Sequence, residues 1–338
     1  MRLLRYFSII AVIIAVGFCI RQGQPKYRNF SGAIFGTTYH IKIRASQKDD
    51  ALHDDIKAEL ALINAQMSVF EPDSEISKIN RAPRGRSVVL SENMGYLLRR
   101  AQTVYSQSGG AFDPTIGPLV DAWGFGPGKK LRTPDRRQIQ KTLQYVGFNK
   151  LKFDSLYKTV RKDDGRVSLD LSAIAKGYGV DKVAALLEKR GYHDYVVEIG
   201  GEIRVSGFRD NTGTPWTVGI SEPSENGANA MAVDMTAGAV ATSGDYQNYR
   251  AGEDGQRYSH TISPKTGLPV RDKLASVTVF TELCIDADAY ATAMMSMGYD
   301  KAVAFADKYG IAAIFFTHTG RGGFAKSYSA YARKQMGE

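Results

Sequence analysis

The stretch from Val167 to Asp181, preceded by Arg166, reads RVSLDLSAIAKGYGVD and constrains this chain more than any other. Val167, Leu169 and Leu171 alternate with polar residues, which is the period of a strand, and Asp170 lies within that run. Ser172 suits the N-cap of the small-residue segment that follows, which carries Lys176 beside Gly177 and Gly179. A strand that feeds a helix through a tight turn leaves backbone N–H groups and a positive dipole end facing outward, a general place to hold phosphate. A lysine inside the helix adds a point charge suited to a diphosphate. The same residues also serve as plain structure in many folds, so the rest of the chain has to decide.

The 338 residues are 43% hydrophobic and 23% charged, the composition of a globular protein long enough to bury a large core. A net charge of +9 arises from 44 Lys and Arg against 35 Asp and Glu. Part of it is local, at Arg99 and Arg100, from Lys129 to Arg132, and at Arg136, Arg137 and Lys141. This is compatible with a solvated basic face, an anionic substrate or membrane headgroups. No nucleic-acid-binding motif accompanies it, so nucleic acid is not expected as a partner. There are two cysteines, Cys19 in an N-terminal apolar run and Cys284 in the body, too few for an internal disulfide of the body or a cysteine-ligated zinc.

Arg2 and Arg5 precede the apolar run Tyr6 to Ile20, of signal-peptide or short-anchor length. Basic residues before such a run hold the N-terminus in the cytoplasm and send the body across. We expect residues 1–24 to be an uncleaved anchor, with lipid attachment at Cys19 as the second reading. Residues 25–338 are then one domain on the outer, periplasmic side of a bacterial cytoplasmic membrane.

Along the body, Gln22 to Ser31 reads as a linker, Thr37 to Arg44 as a strand and Ala51 to Val69 as a helix with Leu52, Ile56, Leu60, Ile63 and Met67 on one face. Helices are also expected from Ser91 to Ser108, from Thr133-Pro134-Asp135 to Gly147, and from Ser172 to Arg190. Further helices are expected over Asp286 to Met297 and Asp300 to Tyr309. Strands are expected over Leu151–Phe153, Val167–Leu171, Tyr195–Ile199, Ile203–Ser206, Trp216–Ile220, Asp234–Thr242, His260–Ile262, Ser276–Phe280 and Ile311–Thr317. Strands and helices cluster rather than alternate strictly, which predicts an α+β domain of mixed or antiparallel sheets.

Three more places carry chemistry. Asp288 and Thr292 are four residues apart on an expected helix, so both oxygens lie on one face about one turn apart. A carboxylate plus a hydroxyl suits a hard cation such as Mg²⁺; spacing alone also fits Asp286 as a helix cap with Asp288 in the first turn. His260 ends a strand before the turn Ser263-Pro264-Lys265-Thr266-Gly267, where a neutral imidazole can accept a proton from a hydroxyl. Gly110-Ala111-Phe112-Asp113-Pro114 places a carboxylate before a proline, either as a cap or as an acceptor for the edge of a heterocycle. Beside it runs the Gly- and aromatic-rich Leu119 to Gly126.

In order along the chain stand FGTTYHI, MSVFEPDSEISKIN, GGAFDPTIGPLVDAWGFG, LDLSAIAKGYGVD, VEIGGEIRVSG, ATSGDYQNY, SHTISPKTG and ADAYATA. With these motifs the sequence resembles the ApbE family of bacterial FAD:protein FMN transferases, from about Gly32 to the end of the Asp300 helix. The resemblance implies a single ApbE-type, T-fold-like α+β domain. It implies that FAD is split and its FMN half placed on a Thr or Ser hydroxyl of a partner flavoprotein as a phosphoester, with release of AMP. Expected acceptors are subunits of respiratory redox complexes or extracellular flavoproteins that carry a Ser/Thr flavinylation motif. The FAD contacts it implies fall on Phe35, Phe70, Ala111, Phe112, Asp113, Asp170, Lys176 and Ile262. The Mg²⁺ (or Ca²⁺) ligands fall on Ala173 through its carbonyl, Asp288 and Thr292, and the base on His260. Phe70 stands where relatives often carry Tyr, which keeps the ring and loses the hydroxyl. Two other activities use the same residues in part: an FAD pyrophosphatase that gives FMN and AMP, and a non-catalytic flavin-binding lipoprotein. A base, a carboxylate and a hydroxyl together argue against the second, since binding alone needs no base.

Overall fold

The computed structural model describes residues 26–45, 49–127, 133–223, 230–244, 249–251, 257–259, 261–320 and 323–337. Residues 1–25, with the expected anchor and Cys19, and His260 lie outside the described residues. Among those that are described, no helix is long and apolar enough to cross a membrane.

The frame is an eight-stranded sheet of antiparallel neighbours. Its strands, in spatial order, are β1 (Tyr27–Ile34), β2 (Thr37–Arg44), β6 (Tyr195–Ile199), β7 (Glu202–Ser206), β10 (Ala237–Gly244), β13 (Leu274–Thr281), β14 (Ala312–His318) and β15 (Phe324–Tyr328). In β2 the buried Tyr39, Ile41 and Ile43 alternate with the exposed His40 and Lys42, so one face meets the core. The interior strands β13 and β14, toward one edge, are buried along most of their length because they are covered on both faces. On one face lie the helices α1 (Leu52–Met67), α6 (Ala175–Lys189), α7 (Cys284–Met297) and α8 (Tyr299–Tyr309). On the other lies the two-stranded ribbon of β8 (Trp216–Ser221) and β9 (Ala230–Met235), whose Trp216, Val218 and Ile220 pack on the sheet.

A second core gathers α2 (Glu75–Arg81), α3 (Glu92–Gln107) and the three-stranded sheet of β3 (Ser87–Val89), β4 (Leu151–Phe153) and β5 (Thr159–Lys162). The remaining elements are α4 (Gly117–Ala122), α5 (Arg136–Leu143), α9 (Ala330–Met336) and the ribbon of β11 (Tyr249–Ala251) with β12 (Arg257–Ser259). The α+β architecture with antiparallel sheets is as expected.

Several local expectations are corrected. The supposed linker to Ser31 already belongs to β1, which begins at Tyr27 and pairs with β2 over its whole length. Val167 to Leu171 joins no ladder beyond a single parallel bridge between Ser168 and Ile116. Its partners are side chains: Asn80 Nδ2 donates to the Leu169 carbonyl at 2.9 Å and Asn80 Oδ1 accepts the Leu169 N–H at 2.7 Å. The buried Lys162 donates to the Val167 carbonyl at 2.9 Å and to the Asn80 carbonyl at 2.6 Å. An amide side chain thus supplies the bonds that a neighbouring strand usually gives. Ser172 does not cap α6. That helix starts at Ala175 after the turn Ser172-Ala173-Ile174 and has no side-chain cap. The α5 cap is Asp135, which accepts the Gln138 N–H at 2.8 Å, so Pro134 precedes the cap.

What positions the chemistry is the contact between α6 and α7. Asp181 on α6 accepts the N–H groups of Cys284 and Ile285 at 3.0 and 2.9 Å, which satisfies the first turn of α7 from outside. Arg204 on β7 holds Asp181 in turn at 2.9 Å. Asp286, which the spacing also fits as a cap, instead forms a paired ion contact with Arg100 of α3. Gly177 permits the close approach. A Cβ there would lie 2.4 Å from the Cys284 carbonyl oxygen and 2.9 Å from Asp288 Cβ. Gly177→Ala is therefore expected to destabilise the protein by about 1–3 kcal/mol and to lower the thermal midpoint read by circular dichroism; an unchanged midpoint would contradict this packing.

Candidate active site

The helix contact opens onto a cavity of about 630 Å³ lined by Ala173, Lys176, Glu202, Ile262, Asp288 and Thr292, among others. All three expected metal ligands therefore share one cavity with Lys176. Asp288 is 3% exposed and accepts the Gly177 N–H through Oδ2 at 3.0 Å. Thr292 follows one turn later on α7, with its hydroxyl 3.4 Å from that of Ser243 on β10.

The sequence alone does not mark Glu202. The β6–β7 hairpin turns through Gly200 and Gly201, both at positive φ, and Glu202 is the first residue beyond them, opposite Ile199. Its Oε2 lies 2.5 Å from Lys176 Nζ, with the carboxylate almost wholly buried. The GGE triplet was the available signal: a carboxylate directly after a glycine doublet is delivered to the end of a sheet. Burial opposes the Lys176 charge, yet Asp288 and Glu202 outweigh it and raise the lysine's pKa. Glu202 is pushed up to about 8, by burial first and then by repulsion from Asp288, against the pull of Lys176. Burial also raises Asp288, opposed by Lys176 and the Gly177 N–H.

This balance tests whether a cation fits. With both buried carboxylates ionised against one ammonium the cavity would carry excess negative charge, a cost that burial enlarges and that pushes both groups toward their protonated forms. A hard divalent cation at Asp288 would offset it, and the oxygens of Thr292 and Ala173 are of the type such an ion takes. Among the described residues no group of three His, Cys, Asp or Glu side chains is arranged for a metal. A site with one carboxylate, one hydroxyl and one carbonyl differs from such clusters and leaves coordination positions for phosphate and water. The residues fit Mg²⁺.

A second cleft, of about 860 Å³, shares Ser172 and Lys176 with the first and is also lined by Phe35, Phe70 and Asp170. Phe70 is 68% exposed at its wall. Phe35 and Gly36 are the two turn residues of the β1–β2 hairpin, and Phe35 has φ +51° in the left-handed region. That position favours Asn or Gly, and a phenylalanine there costs about 1–2 kcal/mol. The ring is set against Gly179 on α6, where an added Cβ would lie 2.8 Å from Phe35 Cε2. Asp170 accepts the Ser172 N–H at 2.9 Å, which shapes the turn that divides the two clefts.

The expected Ala111-Phe112-Asp113 contact is less open. Ala111 lines a third groove, of about 780 Å³, with Trp123, Ser263 and Met297. Phe112 is buried in the core around α3. Asp113 accepts from the Thr115 N–H at 2.8 Å, the Thr115 hydroxyl at 2.6 Å and the Phe148 N–H at 3.2 Å. Burial raises its pKa, and these donors oppose the rise. Ile262 and Trp123 join this region to the first cavity. Ile262 lines that cavity, and Trp123 Nε1 donates to the Gly267 carbonyl at 2.8 Å, which ties the 261–270 turn to α4. His260 is outside the described residues, but the next residue, Thr261, lines the first cavity.

Known proteins share this architecture. The chain is 36% identical to an FAD:protein FMN transferase of Haemophilus influenzae, over 96% of each chain. It is 37% identical to one of Vibrio cholerae, over 93% of each. The solved flavin transferase ApbE from Vibrio cholerae superposes with a TM-score of 0.84 at 34% identity, over 92% of this chain and 99% of that one. The apo flavinyl transferase ApbE of Pseudomonas stutzeri gives 0.86 at 33% identity, over 93% and 98%. The profile of the ApbE family matches residues 35–315. With the profile covering most of the chain and these relatives nearly all of it, the chain belongs to the ApbE family.

Proposed function

We propose that this protein transfers the FMN half of FAD to a Ser or Thr hydroxyl of a partner flavoprotein and releases AMP. The observation that carries this is the placement of Lys176 where two clefts meet: one walled by Phe35 and Phe70, the other by Ala173, Asp288 and Thr292. A flavin nucleotide needs that sequence of surfaces, a ring site followed by a charged diphosphate site. The assigned functions of relatives 31–37% identical over nearly the whole chain support the same reading.

In our assignment the isoalloxazine ring lies between Phe35 and Phe70, and Asp170 contacts the nucleotide on the wall between the clefts. Lys176, held charged by its two carboxylates, faces the diphosphate as a fixed counter-charge. Ile262 on the first cavity and Ala111 on the neighbouring groove face the adenosine half. Ala173, Asp288 and Thr292 would hold Mg²⁺, which when bound supplies a Lewis acid to the diphosphate and offsets charge on the departing AMP. His260 takes the proton of the acceptor hydroxyl. The hydroxyl oxygen bonds to the phosphorus of the FMN half, and the bond from that phosphorus to the AMP phosphate oxygen breaks. Such transfer depends mainly on positioning and electrostatics, which rigid helices provide. The apolar run at residues 6–20, behind Arg2 and Arg5, supports an anchor that holds this domain on the outer face of the cytoplasmic membrane.

Two experiments test the assignment. The purified protein is mixed with FAD, Mg²⁺ and candidate acceptor domains, and covalent flavin is read by in-gel fluorescence and mass. Labelling is expected to need Mg²⁺, to stop with EDTA, and to fall at least about 100-fold in Asp288→Ala. AMP release without labelling would point to the pyrophosphatase, and bound FAD with no product to a flavin store. Undiminished turnover in Asp288→Ala would remove the metal from this place. For the ring site, Phe70→Ala is expected to raise the KM for FAD roughly ten-fold, while Phe70→Tyr leaves it near the parent value; equal KM values for Phe70→Ala and the parent would place the flavin elsewhere.

A further inference from the structure

The cavity that holds Asp288 and Thr292 has a second side that the FAD assignment leaves unused. It bends around the Gly200-Gly201 turn to the opposite face of the large sheet, where Glu198, Gly219 and Ser221 line it. Val196 and Ile203 lie on this face beneath the β8–β9 ribbon, whereas Val197 and Ile199 face α6. Glu198, directly opposite Ile203 in the ladder, is therefore on the ribbon side.

Two features of this side await a partner. Among the described residues β8 pairs with β9 alone, so its other edge carries main-chain N–H and C=O groups outside any ladder. The exposed positions of β8 include Gly219 and Ser221, side chains small enough for a second backbone to lie alongside. Glu198 uses Oε1 to accept the Gly201 N–H at 2.7 Å. Its Oε2 is shielded from solvent and has no hydrogen-bond partner among the described residues. A buried carboxylate oxygen in this state calls for a donor.

We propose that the acceptor protein enters as an extended segment along the free edge of β8, where the partly exposed Glu198 side chain turns its shielded Oε2 outward to accept an N–H of that segment. The inference rests on the transferase reading, which requires a polypeptide hydroxyl to reach this cavity. An added strand meets that need, because its main chain satisfies the edge and alternate side chains point to one side. One such side chain then faces the cavity on the side opposite Lys176. Glu198 is on this account an acceptor-positioning residue.

The full-length protein is assayed with FAD, Mg²⁺ and a soluble acceptor domain that the parent protein labels. Glu198→Gln keeps the bond to Gly201 through its carbonyl but turns an amide N–H toward the incoming donor. We expect its KM for the acceptor domain to rise at least about ten-fold with the KM for FAD within about two-fold. Hydrogen exchange on the parent protein is expected to slow over residues 216–221 when the acceptor domain is added, which keeps the test intact if the variant folds poorly. An unchanged acceptor KM, a raised FAD KM in its place, or slowed exchange confined to other segments would overturn the proposal. A parent protein that labels no acceptor domain would instead sink the transferase reading, and this inference with it.

Discussion

The structure depends on one close contact, the main chain of Gly177 against the first turns of α7. There Asp288 receives the Gly177 N–H at 3.0 Å, and Asp181 from the same helix caps the N–H groups of Cys284 and Ile285. A side chain at residue 177 would separate the helices. With that separation Asp288 and Thr292 would move away from Lys176 and from the Ala173 turn, and the cavity would lose its shared wall. Close packing is therefore what turns residues more than a hundred positions apart into one site.

The charges explain why the site is held so firmly. Among the described residues Lys176 is the one cation in the cavity lining, and it faces the carboxylates of Glu202 and Asp288. Each carboxylate is costly to bury alone, and one ammonium does not satisfy both. An arrangement left short of positive charge is suited to receive a divalent cation, which brings the charge that Lys176 alone does not supply. The left-handed Phe35 is a similar concession, a strained residue kept where its ring forms the wall of the second cleft.

Much of this was legible from the residues. Thr37 to Arg44 alternates so regularly that the strand is found at its exact bounds, and Ser91 caps α3 as its position suggests, by accepting the Met94 N–H. The spacing of Asp288 and Thr292 does place both on the cavity side of α7. What the residues hid were partnerships made across long distances. Val167 to Leu171 has a strand's alternation because it is buried on one side, but an asparagine side chain supplies its hydrogen bonds, and no period reveals that. Cys284 begins α7 without a capping side chain of its own because Asp181 reaches across to do the work. Glu202 stays hidden in the sequence because a buried ion pair has no local signature; its partner lies on another element.

The central claim is that the Gly177 contact assembles a single cation and diphosphate site between α6 and α7. Crystals grown with FAD and Mn²⁺ in place of Mg²⁺ test it through the anomalous scattering of the metal. The account predicts one strong peak within coordination distance of the Ala173 carbonyl, the Asp288 carboxylate and the Thr292 hydroxyl, beside the diphosphate and Lys176. A peak held by other residues, or an ordered diphosphate away from Lys176, would contradict it.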